Sequence, residues 1–166
     1  MTIFRHILAP VAVLVILCGT AAAQEACDPL NVGQGVLAYN DGDYEAALEL
    51  WQPCAEQGDA IAQSNLGYLY DNGFGVAQDY AKAVFWYGLA AEQGDTFAQY
   101  SLGLYYGGGG GVPQDNVLAF MWLSVAAANG QVGAAQDRDF IAGFMTTAQI
   151  AEALGLAEDW LKSYQP

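Results

Sequence analysis

The sequence predicts an all-α protein: a right-handed α-solenoid of antiparallel helix pairs with a C-terminal capping helix. Three observations predict it. First, the stretch from Asp79 to Gln114 falls on the chain again when moved by 36 residues either way. Asp43, Asp79 and Asp115 then coincide, as do Ala47, Ala83 and Ala119, Ala55, Ala91 and Ala127, and Gly58, Gly94 and Gly130. Second, apolar residues inside each copy recur at helical spacing. Third, each copy is punctuated by an Asp before a helix and a Gly after it, the chemistry of helix starts and stops. A period of this length marks units that cannot bury an apolar face alone and must stack.

The copy after Asp79 shows how one unit is built. Positions 80, 83, 84, 87, 90 and 91 are apolar and form one face of a helix from Tyr80 to Gln93. Gly94 ends that helix in a left-handed turn, and Asp95 caps a second one from Thr96 to about Tyr106. Small residues, Ala83, Ala91, Ala98 and Gly103, stand where the two helices must cross closely. A mid-helix glycine costs roughly 1 kcal/mol against alanine, so Gly67 and Gly103 imply a neighbouring side chain seated on bare backbone. Tyr87, Trp86 and Tyr105 are expected to fill the remaining space.

In chain order, residues 1–23 read as a secretory signal peptide. Arg5 and His6 precede an apolar run of 12 residues, Ile7 to Cys18, and Ala21-Ala22-Ala23 is a small-residue cleavage signature before Gln24. A spanning helix needs roughly 20 apolar residues. Residues 24–166 then form one domain: an N-terminal cap hairpin at 28–58, repeats at 59–94 and 95–130, and C-terminal capping helices at 131–163. The hairpin comprises helices Asn31 to Asn40 and Tyr44 to Gln57. It places Cys27 and Cys54 at neighbouring ends, so an exported chain is expected to bridge them; the alternative is two free thiols, Cys54 being a small core residue. At the far end Arg138 and Asp139 interrupt the pattern where Leu102 and Gly103 would recur. A helix from Gly133 to Phe144 follows the last repeat, and Thr146 with Gln149 forms a capping box for a final helix to about Lys162. Ile150, Leu154, Trp160 and Leu161 are expected to cover the last repeat face.

Two segments carry a family resemblance. Ala98-Gln99-Tyr100-Ser101-Leu102-Gly103-Leu104-Tyr105-Tyr106, a glycine-rich loop closing on Gly111-Val112-Pro113-Gln114-Asp115, and a helix ending Ala126-Ala127-Ala128-Asn129-Gly130 form one unit. Ala62 through Tyr70, then Gly73 through Tyr80, match it almost throughout. The pattern resembles the Sel-1-like repeat, a relative of the tetratricopeptide repeat with a longer loop inside each unit. The resemblance covers about residues 32–163.

Composition removes several classes of function. The chain has 18 acidic and 4 basic residues and a formal net charge of −14. After export only Lys82, Arg138 and Lys162 remain as cations, too few for the counterion release that drives nucleic-acid binding or for anionic lipid. The only His is His6, in the removed segment, which leaves no His base, catalytic triad or His metal site. Two cysteines 27 residues apart are no zinc signature. Gly107 to Gly111 lacks the Lys-Ser/Thr of a phosphate loop. Asp41 with Asp43, and Asp137 with Asp139, are more simply caps than acid–base pairs. No cofactor or metal is expected.

What remains is surface. By analogy with the tetratricopeptide fold, the shorter helices line a concave face, where Val36, Tyr39, Ser64, Tyr68, Asp71, Tyr100 and Leu104 point inward to a protein or peptide partner. The alternative for Tyr68 and Tyr100 is packing between helices. The resemblance implies an exported interaction module, an adaptor or regulator in the periplasm or outside the cell, monomeric, and not an enzyme. A hydrolase of beta-lactamase-like type is the alternative, because some cysteine-rich secreted members of the family are linked to beta-lactam binding. Those members carry a disulfide in nearly every repeat, whereas this chain offers at most one.

Overall fold

The computed structural model describes residues 27–164; the export segment expected at residues 1–23 lies outside them. The described chain is all helix and loop: α1 Pro29–Asn40, α2 Tyr44–Glu56, α3 Ala60–Asn72, α4 Tyr80–Glu92, α5 Thr96–Gly108, α6 Asn116–Ala128, α7 Ala134–Ala142 and α8 Thr147–Ser163. From α1 to α7 each helix packs on the next, as a solenoid requires. Asp28, Asp43, Asp59, Asp79, Asp95 and Asp115 each accept a backbone N–H of the first turn of the helix that follows. Each such cap contributes about 1 kcal/mol. The Thr146–Gln149 capping box forms as expected.

One contact repeats through the stack. A Cβ on Gly35 would lie 2.3 Å from Trp51 Nε1, one on Gly67 2.8 Å from Tyr87 Cδ1, and one on Gly103 2.6 Å from Leu123 Cγ. Each glycine belongs to an odd-numbered helix, and each large side chain to the even-numbered helix after it. Trp51, Tyr87 and Leu123 are themselves 36 residues apart and buried. Asp139 stands at the next glycine position, exposed and paired with Arg138 at 2.6 Å. No helix packs there to need a hole, which is the physical reason the pattern stops at that point.

A buried amide ladder runs alongside. Gln63 Nε2 donates to the Ala55 carbonyl and Gln99 Nε2 to that of Ala91, while Gln63 and Gln99 accept from Gln93 and Asn129. These bonds satisfy polar groups between helix pairs that would otherwise be costly to bury. The glycine-rich loops dock backward: Gly75 and Gly111 have φ +65° and +72°, and a Cβ on either would strike the backbone of Tyr44 or Tyr80 at the start of an earlier helix. Cys27 and Cys54 are bridged, with Cα atoms 4.7 Å apart. The sequence separation of 27 makes the bridge worth about 3 kcal/mol in the chain-entropy model.

The ends depart from expectation in instructive ways. Helix α5 continues two residues past Tyr106 through Gly108, so part of the glycine run is helical. Helix α8 packs chiefly on α6. Its Trp160 meets Trp122 edge-on, and Tyr164 stacks on Trp160 while donating to the Gln93 carbonyl at the end of α4. The buried stripe of α8 is Ala153, Ala157 and Trp160, with Ile150 and Leu161 beside it. Leu154 falls off that stripe and is exposed, contrary to its expected covering role. Tyr80 is also exposed: at the first position of α4 it lies past the edge of the face formed by 83, 84, 87, 90 and 91.

The repeated glycine contact has a measurable consequence. Gly103→Leu should lower the free energy of unfolding by more than about 2 kcal/mol, as overpacking a close crossing does. Urea unfolding checks it, and an unchanged midpoint would mean that Leu123 is not seated there.

Candidate functional site

The 36-residue register places Val36, Tyr68, Leu104 and Phe140 at one equivalent position on α1, α3, α5 and α7, allowing for a unit four residues shorter at the start. Three of the four remain open: Val36 is 40% exposed, Leu104 46% and Phe140 68%. Burying such side chains against each other was evidently not required for stacking. They form a row of apolar groups along one side of the odd-numbered helices. Phe140 also meets Phe144 edge-on at 5.2 Å. It was absent from the residues singled out by sequence, although adding one period to Leu104 reaches it; the broken motif at Arg138 and Asp139 hid the register.

Tyr68 and Tyr39 form the base of an aromatic cluster. Their rings meet edge-on at 5.9 Å, Tyr39 also faces Trp51, and Phe74 stacks on Tyr44 at 4.5 Å while approaching both. Phe97 continues the cluster from α5 at 6.1 Å from Tyr68. The neighbouring Tyr68 hydroxyl and then burial push the Tyr39 phenol up to about 12. Tyr39 and Tyr68 are thus half-buried: each presents an edge and packs with the rest.

Asp71 occupies a polar node between three helices. Its carboxylate accepts from Tyr105 Oη and, at 3.4 Å, from Tyr87 Oη. Burial first, and Asp71 second, raise both phenols far above their ordinary value. Ser64 is 6% exposed and donates to Asp95, the cap of α5, at 3.0 Å. It therefore fixes one helix start against another, and the expectation that it faces a partner is corrected. Tyr100 donates to Asp137 at 2.6 Å and packs against the cluster of Leu123, Ala126 and Ala134. That is the between-helices alternative for Tyr100. Leu104 is the residue of the expected set with the most open side chain.

Both described cysteines are in the bridge, so neither is a free thiol. Among the described residues no group of three His, Cys, Asp or Glu is arranged to hold a metal ion. No helix among them is long and apolar enough to cross a membrane.

The model of the Sel1 repeat matches this sequence three times in succession, at residues 30–59, 60–95 and 96–131. The chain belongs to the Sel1 repeat family. No curated protein matches it. Among solved structures it is similar to a protective antigen of uropathogenic Escherichia coli displaying an SLR fold, with 30% identity, a TM-score of 0.76 and coverage of 81% of this chain and 30% of that one. It is also similar to a Sel1 repeat protein from Oxalobacter formigenes, with 34% identity, a TM-score of 0.63 and coverage of 66% and 45%. The chain thus spans less than half the length of either. Sel1 repeat proteins are in general protein-interaction modules and typically non-catalytic scaffolds.

The buried phenols predict an alkaline limit to stability. Tyr87 and Tyr105 have folded-state values raised above the ordinary 10.0, so the stability they carry is intact below the unfolded value and is lost as pH climbs from there toward the folded one. Urea unfolding of the wild type should weaken from about pH 10 upward, and Tyr105→Phe should weaken less steeply. Identical slopes for the two proteins would contradict the Asp71 node.

Proposed function

We propose that this Sel1 repeat protein is an exported interaction module that holds a segment of a partner protein along the concave side of its stack. The observation that carries the proposal is the open row Val36, Tyr68, Leu104 and Phe140. Tyrosine is enriched among the anchors of protein interfaces, and apolar neighbours around such an anchor exclude water from it. The row crosses four alternate helices of the stack, α1, α3, α5 and α7, a path that an extended segment of the partner would follow. Tyr39 and Asp71 hold the floor, Tyr100 braces α5 against α7, and Ser64 supports the row from beneath.

Export fits the Cys27–Cys54 bridge, which persists in oxidising compartments, and the leader read at residues 1–23 with Gln24 as the mature N-terminus. In this proposal residues 24–166 act as one monomeric domain in the periplasm or outside the cell. The negative charge favours solubility and a partner that is not itself strongly acidic.

Leu104→Ser with Phe140→Ser tests the row without touching the core. The double variant should keep the wild-type circular-dichroism spectrum and melting temperature. Affinity capture from an envelope fraction, read by quantitative mass spectrometry, should lose the partner, since truncating a central anchor costs ~2 kcal/mol or more. Full retention of the same partner would move the binding surface elsewhere.

A further inference from the structure

On the other side of the stack, α4, α5 and α6 enclose a groove of about 280 Å³ lined by Phe85, Leu89, Leu102, Tyr106 and Trp122, with Gly88 in its wall and Glu92 among its lining residues. Positions 84 to 92 of α4 give it a length of about 12 Å at 1.5 Å per residue. Phe85 is 51% exposed over it. Glu92 is the only charged group in the lining.

One period earlier, between α2, α3 and α4, the same positions hold different residues. There, Gln52 stands in place of Gly88, Glu56 in place of Glu92, and Lys82 in place of Leu118. Gln52 Nε2 donates to Glu56 at 2.9 Å, and the Lys82 ammonium lies 5.0 Å from the Tyr70 ring centroid and 3.8 Å from Asp79. There Glu56 has an amide partner, and Lys82 of α4 lies over Tyr70 and against Asp79. Between α4 and α6 neither is present: a Cβ on Gly88 would meet nothing within 4 Å, and Leu118 carries no charge. Among the described residues Glu92 has neither a side-chain hydrogen bond nor an ion pair.

Glu92 also ends α4, where the helix dipole disfavours negative charge. Partial burial raises its carboxyl above the usual range. The side chain lies exposed at the rim of the groove, and the three described cations are paired elsewhere, Lys82, Arg138 and Lys162 with Asp79, Asp139 and Glu158.

We propose that the α4–α6 groove receives a lysine side chain from a partner protein, its ammonium paired with Glu92 and its methylene stem laid along Phe85, Leu102 and Trp122. An apolar slot with one unpartnered carboxylate at its exposed rim is complementary to an apolar stem ending in a cation. One period earlier Lys82 holds its ammonium over the ring of Tyr70, the counterpart of Tyr106, and against Asp79 rather than Glu56, so a cation beside the aromatic wall is compatible with this architecture. The groove is a separate surface from the open row, and the test below uses no residue of that row, so either can fail alone.

The probe is lysine with acetylated amino and methylamidated carboxyl ends, compared with the same molecule acetylated at Nζ. Titration is followed by the indole resonance of Trp122. The charged probe should shift it saturably, and the neutral one should bind about ten-fold more weakly. Glu92→Gln should erase that preference. Gly88→Gln, which restores the arrangement of the first repeat and projects into open space, should abolish binding while the helical spectrum stays unchanged. Equal binding of the two probes, no saturable shift, or wild-type binding by the Gly88→Gln variant would overturn the proposal.

Discussion

The structure depends on a hole and a knob. Gly35, Gly67 and Gly103 each remove a side chain so that Trp51, Tyr87 and Leu123 can seat against helix backbone. The glycine costs roughly 1 kcal/mol of helix propensity, whereas fully burying a large apolar side chain returns about 1.5–3 kcal/mol. The exchange is favourable only while the next helix is present to supply the knob. This makes neighbouring helices mutually dependent, as in other stacked repeats, and it fixes the spacing at which side chains on the outer surfaces can line up.

Much of this was legible in the sequence because a period of 36 residues converts weak local signals into coincidences. The caps, the helix pairs, the bare glycines and the Cys27–Cys54 neighbourhood all follow from fixed offsets. What escaped was decided by tertiary context. Ser64 looks like a surface residue until Asp95 from the next unit arrives to accept its hydroxyl. Leu154 fits a helical face, but the face that docks on α6 is the small one, Ala153 and Ala157, which lets Trp160 reach Trp122. Phe140 was hidden because the motif around it is broken, although the register is not: Ala62, Ala98 and Ala134 are all fully buried at equivalent positions.

The same register separates the two surfaces. Along the odd-numbered helices one position stays apolar through four units, the row proposed to hold a partner's segment. On the even-numbered helices equivalent positions diverge, and Gln52 and Lys82 give way to Gly88 and Leu118. A repeat protein can thus keep its stacking contacts constant and vary the rest, which is how one fold carries different binding surfaces. The charge of −14 lies over this framework without entering the core; the caps use a third of the acidic side chains to satisfy backbone N–H groups.

The dependence of the stack on its seated side chains is tested most directly by a double-mutant cycle at the third contact. Gly103→Ala, Leu123→Ala and the double variant would be unfolded in urea beside the wild type. A seated knob means that shortening Leu123 relieves the added methyl, so the double variant should be more stable than the sum of the single losses by at least about 1 kcal/mol. Strict additivity would show that the two residues do not share one contact, and the account of the stack would be wrong.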